Sequence, residues 1–266
     1  MCGFAGFWCF GFCENQNVLK GHIIKMQQSL THRGPDGSGV WLEREAGLAI
    51  AHRRLSVQDL SANGDQPMKS STGRWIIVFN GEIYNHNELR NELEEQVGQI
   101  NWRGTSDTET VLWAVENWGF EKTVLKLNGM FAGALFDRQT QSLLLFRDRF
   151  GEKPLYYAIQ GPRLFFASEL KALRANPCFN AELNNSAIPE YFRFGYVPGE
   201  MSILKSVFKL RPGHYLRFDM SSLNHSHDVE PIAYWDLNQQ FLKASGSKFR
   251  GSFDDAVEQL DALLTK

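Results

Sequence analysis

Residues 75–80 read Trp-Ile-Ile-Val-Phe-Asn, a continuous apolar run that marks a fully buried strand rather than one with a wet face. A strand of this kind needs cover, and the order of its neighbours limits how the cover is arranged. Strands are expected at 3–12, 39–42 and 48–52 before it, and at 130–137, 142–147, 155–159, 164–167, 206–210 and 214–218 after it. Helices are expected at 18–30, where Val18, Leu19, Ile23, Ile24 and Leu30 share a face, at 85–97, and at 107–118, where Val111, Leu112, Val115 and Trp118 do so. Shorter ones follow at 168–174 and 186–194. Two groups of strands interleaved with pairs of helices, without the regular strand–helix alternation of a parallel sheet, predict an α+β layered architecture.

Between the first helix and the next strands, residues 31–39 read THRGPDGSG, with three glycines and a proline in nine residues, which is a shaped loop. Arg33 and Asp36 within it are expected to order one another. From about Ser221 to Gly251 the sequence turns polar and reads as a connection over a surface. The final FDDAVEQLDALLTK is an amphipathic helix with Phe253, Val257, Leu260 and Leu264 in line and Asp254 and Asp255 at its N-terminal end. A helix running to the last residue suggests that more chain belongs after it.

With 43% hydrophobic and 22% charged residues, the 266-residue chain has the composition of a soluble globular protein. Its 28 Lys and Arg against 30 Asp and Glu give a net charge of −2 and no field for a phosphate backbone, so nucleic acid is not an expected partner. The apolar start, residues 1–12, lacks a preceding basic residue and is too short for a membrane span, which argues against a secretion signal or membrane segment. Four cysteines, at 2, 9, 13 and 178, are too few for a disulfide framework, and a reducing, cytoplasmic setting is expected. Cys2, Cys9 and Cys13 match no zinc spacing and lack nearby histidines, so no metal site is expected.

Cys2 stands out chemically. Once Met1 is removed by an aminopeptidase, its thiol and its α-amine belong to one residue, a nucleophile carrying its own base, since the amine titrates near 7.7–8.0 and the thiol near 8.5. The alternative is that cysteine is merely tolerated there. Asn80-Gly81 offers a side-chain amide and a backbone N–H for a developing oxyanion, or simply turns a hairpin. Arg54 can grip a carboxylate in bidentate fashion. Asp107, at an expected helix start, is either a cap or a binding carboxylate.

The stretches MCGFAG, HRGPDGSG, AHRRLSVQDL, GDQPM, FNGEIYNHNELR, GTSDTE, LNGMFAGALFD, RDRFGEKPLYY, FASELKAL, FGYVPGEMSI, KLRPGHYL and YWDL occur in this order between residue 2 and about 237. In them the chain resembles the glutaminase domain of class II glutamine amidotransferases, in particular the N-terminal part of glutamine-hydrolysing asparagine synthetases. The resemblance implies an N-terminal-nucleophile hydrolase fold, a four-layer αββα sandwich with two antiparallel sheets between helical layers. It implies a glutaminase domain over 2–220, a connecting segment over 221–252, and over 253–266 the start of a helix of a C-terminal synthetase domain.

Carried over by position, Cys2 is the nucleophile and Asn80 and Gly81 form the oxyanion hole. Arg54 takes the α-carboxylate of glutamine, Glu82 and Asp107 take its α-ammonium, and Leu55, Ser56, Val57 and Gln58 line the pocket. The implied reaction hydrolyses the glutamine amide through a cysteinyl thioester, giving glutamate and, for asparagine biosynthesis, ammonia. No cofactor is implied for these residues; ATP and Mg belong to the synthetase domain, whose SGGxDS loop is absent from this sequence. The partners implied are glutamine, that domain and, as an option, a second copy in a homodimer. Thr31 and Arg53 depart from the family pattern at positions not expected to touch substrate. The rivals are the ammonia-supplying domain of a sugar-phosphate or phosphoribosyl amidotransferase, and a silent binding domain if Met1 stays attached.

Overall fold

The computed structural model describes residues 1–10, 15–219, 229–246 and 249–265. These fall into two compact units, Met1–Trp235 and Asp236–Lys266. The first is built on two six-stranded sheets in which every paired strand is antiparallel to its neighbour. One contains β1 (Gly3–Cys9), β2 (Gly37–Glu43), β3 (Leu48–Arg54), β8 (Tyr156–Ile159), β9 (Arg163–Ala167) and β10 (Phe208–Lys209), in the order β10-β8-β9-β1-β3-β2. The other contains β4 (Met68–Lys69), β5 (Trp75–Ile83), β6 (Gly129–Asp137), β7 (Ser142–Arg147), β11 (His214–Phe218) and β12 (Ile232–Ala233), in the order β12-β11-β7-β6-β5-β4.

The two-residue period of the strands assigns each side chain to a layer. On β1, Phe4 and Trp8 enter the apolar layer between the sheets, while Ala5, Phe7 and Cys9 meet α1 (Gln16–Ser29) and α5 (Leu170–Arg174). On β3, Leu48 and Ile50 point inward and the small Ala49 and Ala51 let α1 approach the outer face. On β5, Ile76 and Val78 point inward, whereas Ile77 and Phe79 pack under α3 (Asp107–Trp118) and α4 (Phe120–Lys126). Helix α2 (His86–Val97) joins α3 through Leu93, Ile100 and Ala114. The result is the expected αββα sandwich. Each large inward side chain removed from water contributes about 1.5–3 kcal/mol. Where both sheets need room, glycine lies under an aromatic ring: Gly6 faces Phe166 across β1–β9 and Gly133 faces Phe146 across β6–β7, with no space for a Cβ at either.

Several boundaries differ from expectation for local reasons. Asn80-Gly81 does not turn; β5 runs on to Ile83, with Asn80 opposite Ala132 and Gly81 opposite Phe131. The cross-strand ladder with β6 outweighs the dipeptide's turn preference. Helix α1 starts earlier, at Gln16, because Asn15 caps it through Asn17 N at 2.8 Å. Helix α4, seven residues after Gly119, and the two-residue β4 were too short to show a period. Residues 11–12 of the first expected strand, together with Cys13, lie outside the described residues. The stretch 221–252 contains β12 and α7 (Leu237–Ser245), and its residues 221–228 and 247–248 are likewise outside.

In the second unit, Asp236 caps α7 by accepting from Gln239 N at 2.8 Å. Ser252 and Asp255 form a reciprocal capping box at the start of α8 (Phe253–Thr265), at 3.1 and 2.7 Å. No helix among the described residues is long and apolar enough to cross a membrane.

Candidate active site

Cys2 immediately precedes β1, a strand buried along its whole length and flanked on both sides. That places its side chain on a rigid element. Its thiol accepts from Leu55 N at 3.3 Å and lies 3.5 Å from Leu55 O. Its carbonyl accepts from Arg33 Nε at 2.8 Å, and Arg33 is held in turn by Glu169 at 2.9 Å. The arginine lies so close over Gly3 that a Cβ there would stand 2.8 Å from Arg33 Cδ. Burial pushes the Cys2 thiol up, and the lowering influences of the Leu55 backbone, the chain's amino group and Arg54 do not cancel it. An ordinary cysteine is only a few per cent thiolate at pH 7, so this one needs a base.

Around the thiol lies a cleft with about 390 Å³ of empty space. Its walls place a cation and carboxylates in one pocket: Arg54, Glu82 and Asp107 line it together with Leu55, Val57, Gln58 and Gly81. Arg54 is fixed by Ser61 O at 2.7 Å, Asp65 Oδ1 at 2.8 Å and the carbonyl of Asp59. Those bonds engage both terminal nitrogens and leave Nε–H without a partner among the described residues. Glu82 accepts from Gln58 Nε2 at 2.5 Å. Burial raises the Glu82 carboxyl against the lowering influence of Lys153 and Gln58. Burial also pushes Asp107 up to about 6, although Ile83 N donates to it at 2.8 Å. Neither carboxyl has a cation in ion-pair contact among the described residues; Lys153 acts on Glu82 only electrostatically.

Asn80 follows Ile76 and Val78 on the inward face of β5 and is 1% exposed. Its Nδ2 is buried and has no hydrogen-bond partner among the described residues. Such donors are rare and cost about 1–3 kcal/mol when left unpaired. Gly81 is required sterically, because a Cβ would sit 2.4 Å from Met130 O. Across the sheets, His52 hydrogen-bonds to Phe79 O through Nε2 at 3.0 Å. The carbonyl can only accept, so Nε2 carries the proton. Complete burial lowers His52 to about 4, which keeps it neutral.

Of the expected site residues, Cys2, Arg54, Leu55, Val57, Gln58, Gly81, Glu82 and Asp107 line the cleft together. Ser56 and Asn80 are not part of that lining: Ser56 turns its N–H to Asp36 Oδ2 at 2.9 Å, and Asn80 is buried between Phe79 and Gly81 on β5. The expectation that Arg33 and Asp36 order one another is corrected: Arg33 is taken by Cys2 O and Glu169, Asp36 by Ser56. Asp107 is not the cap of α3; Ser106 is, through Thr108 N, and Asp107 is the first helical residue. The two departures from the family pattern meet each other, Arg53 Nη2 donating to Thr31 Oγ1 at 2.7 Å away from the cleft.

Sequence reasoning missed Asp59, Gln66 and Thr108. Asp59 shapes the loop under Arg54 by accepting from Ser61 N and Oγ and Thr105 N. Those bonds, that from the Ser61 hydroxyl foremost, hold its carboxyl low. Gln66 links Phe79 N at 2.6 Å to Thr108 Oγ1 at 3.3 Å. All three lie in quoted stretches, Asp59 in AHRRLSVQDL, Gln66 in GDQPM and Thr108 in GTSDTE, which carried no role for them.

Residues 1–235 match the glutamine amidotransferase domain family. The chain is similar to a putative glutamine-hydrolysing asparagine synthetase of Methanocaldococcus jannaschii, with 34% identity over 89% of this chain and 47% of that protein. It is similar also to asparagine synthetase 3 of Bacillus subtilis, with 35% identity over 99% of this chain and 40% of the relative. It therefore spans less than half the length of these curated relatives. Among solved structures, the glutamine phosphoribosylpyrophosphate amidotransferase of B. subtilis superposes over 88% of this chain and 49% of its own, with a TM-score of 0.58 and 18% identity, a likeness of fold. With the sandwich, the cleft and these matches together, the chain belongs to the class II glutamine amidotransferase domain family.

Proposed function

We propose that the cleft hydrolyses the side-chain amide of glutamine. The observation that carries this reading is the meeting in one cleft of a thiol at the start of a buried strand, a guanidinium and two carboxyls raised by burial, with an unpaired buried carboxamide on Asn80, the residue before Gly81 of the lining. A free amino acid answers the guanidinium and the two carboxyls together, its carboxylate taken by Arg54 and its ammonium by Glu82 and Asp107. Its side-chain amide then extends to Cys2.

In this reading Met1 is removed, and the freed Cys2 amine takes the thiol proton. The thiolate adds to the amide carbon, and Asn80 Nδ2–H and Gly81 N–H receive the oxyanion. Collapse expels ammonia with the proton from the Cys2 ammonium and leaves a γ-glutamyl thioester. Water, deprotonated by the same amine, cleaves it to glutamate and restores the thiol. The ammonia serves an amidation of asparagine synthetase type carried out by residues beyond this chain, which would also hold ATP and Mg. The test is glutamate release from glutamine by protein whose intact mass shows loss of Met1. Cys2→Ala should abolish release with little change in thermal midpoint, and full activity in Cys2→Ala would end this reading.

A further inference from the structure

The segment RDRFGEKPLYY is among the sequence's most specific features, yet none of its side chains lines the cleft. Its packing shows what it builds. Asp148, wholly buried, accepts the N–H groups of Phe131, Phe150, Glu152 and Lys153 at 3.2, 3.1, 2.9 and 3.0 Å. Arg147 clamps the same loop from the other side by donating to Lys153 O at 2.7 Å, Gly151 O at 2.5 Å and Leu210 O at 2.7 Å. Gly151 takes a left-handed φ of +69°, where a side chain would be strained. Phe131 is the residue opposite Gly81 on β6, so the loop is tied to the strand pair that carries Asn80 and Gly81.

This scaffold fixes Lys153, which is 6% exposed. Among the described residues its ammonium has one polar contact, Met1 Sδ at 3.3 Å. A buried cation without an anion at hydrogen-bond distance is costly to maintain. The other cations near Cys2 are paired: Arg33 with Glu169 at 2.9 Å and Arg54 with Asp65 at 2.8 Å. Glu82 on β5 feels Lys153 electrostatically, and Asp107 on α3 feels Glu82. Lys153 is thus the one of these three cations whose charge is not matched by a carboxylate contact, and its contact is with the side chain of Met1, the residue joined to Cys2.

We propose that Lys153 is a positioning residue that acts through the Cys2 amine: with Met1 gone, its ammonium disfavours a second positive charge beside it and holds the amine in its neutral, proton-accepting form. It acts through the base and has no contact with substrate. The inference rests on the proposed glutaminase reading, and two measurements separate their failures. In the Met1-processed full chain, kcat/KM for glutamine is followed from pH 5 to 9 for wild type, Lys153→Met and Lys153→Arg. Two like charges several ångströms apart at a half-buried site correspond to a shift of about one pH unit. The acid limb of Lys153→Met should therefore move up by about one unit, costing about tenfold near pH 6.5, with a plateau near that of wild type above pH 8.5. Lys153→Arg should restore the wild-type limb.

A uniform loss at every pH, or a profile superimposed on wild type, overturns the proposal while Cys2-dependent turnover keeps the glutaminase reading. Turnover that persists in Cys2→Ala removes that reading instead. Should Lys153→Met fail to fold, Lys153→Gln takes its place with the same expectation.

Discussion

Asn80→Ala separates a residue kept for chemistry from one kept for folding. The Asn80 Nδ2 is buried without a hydrogen-bond partner among the described residues, on the inward face of β5 with Ile76 and Val78. An unsatisfied donor of this kind costs about 1–3 kcal/mol, which truncation to alanine recovers. The opposing loss is the packing of the carboxamide, of similar size. The two nearly offset, so stability should change by no more than about 1 kcal/mol in either direction, or about 4 °C in Tm for a domain of this size. Loss of an oxyanion donor acts only on turnover, by about 10²–10³-fold. Differential scanning fluorimetry gives the first quantity and glutamate release under saturating glutamine gives the second. A fall in Tm of more than about 10 °C with turnover per folded molecule preserved would make Asn80 a structural residue and refute the reasoning.

Other consequences follow from the same geometry. A Cβ on Gly81 would stand 2.4 Å from Met130 O and 2.6 Å from Phe131 Cβ. In Gly81→Ala, β5 and β6 must therefore part by roughly an ångström, costing about 1–3 kcal/mol and, through misplaced donors, about 10²-fold in turnover; calorimetry with the glutaminase assay checks both. Asp107, raised to about 6 from an unfolded value near 3.8, contributes stability that is fully present below pH 4 and lost as pH rises to about 6. The stability of Asp107→Asn relative to wild type should therefore climb across that window, toward about 3 kcal/mol, as read by urea unfolding at stepped pH. Since the glutamine ammonium favours the ionised carboxylate, KM for wild type should rise as pH falls through about 6, and this dependence should disappear in Asp107→Asn.

Much of the architecture was legible because both periods are strong. The alternation in β1, with Phe4 and Trp8 inward and Ala5 and Phe7 outward, and the stripe of α3 are local patterns. The turn reading left open for Asn80-Gly81 fails because the competing interaction lies some fifty residues away, at Phe131 and Ala132. The thiol and the charged residues that line the cleft were singled out through a resemblance and through elementary chemistry: a thiol beside an amine, an arginine for a carboxylate, an aspartate at a helix start. Their supports were not, since Asp59 under Arg54, Glu169 behind Arg33 and Lys153 beside Met1 are brought there by the crossing of distant strands and loops. Ser106 and Asp107 show the limit at single-residue scale. Either can cap a helix, and only the backbone, extended at Ser106 with its side chain on Thr108 N, decides which one does and frees the other for the cleft.

The central claim is a covalent intermediate on Cys2, and the most direct measurement is mass spectrometry of peptides from protein quenched in acid during steady-state glutamine turnover. The account predicts one glutamyl group on the N-terminal peptide of chains that begin at Cys2, absent from Cys2→Ala and from chains retaining Met1. Turnover of glutamine without that adduct, and undiminished in chains that keep Met1, would contradict it.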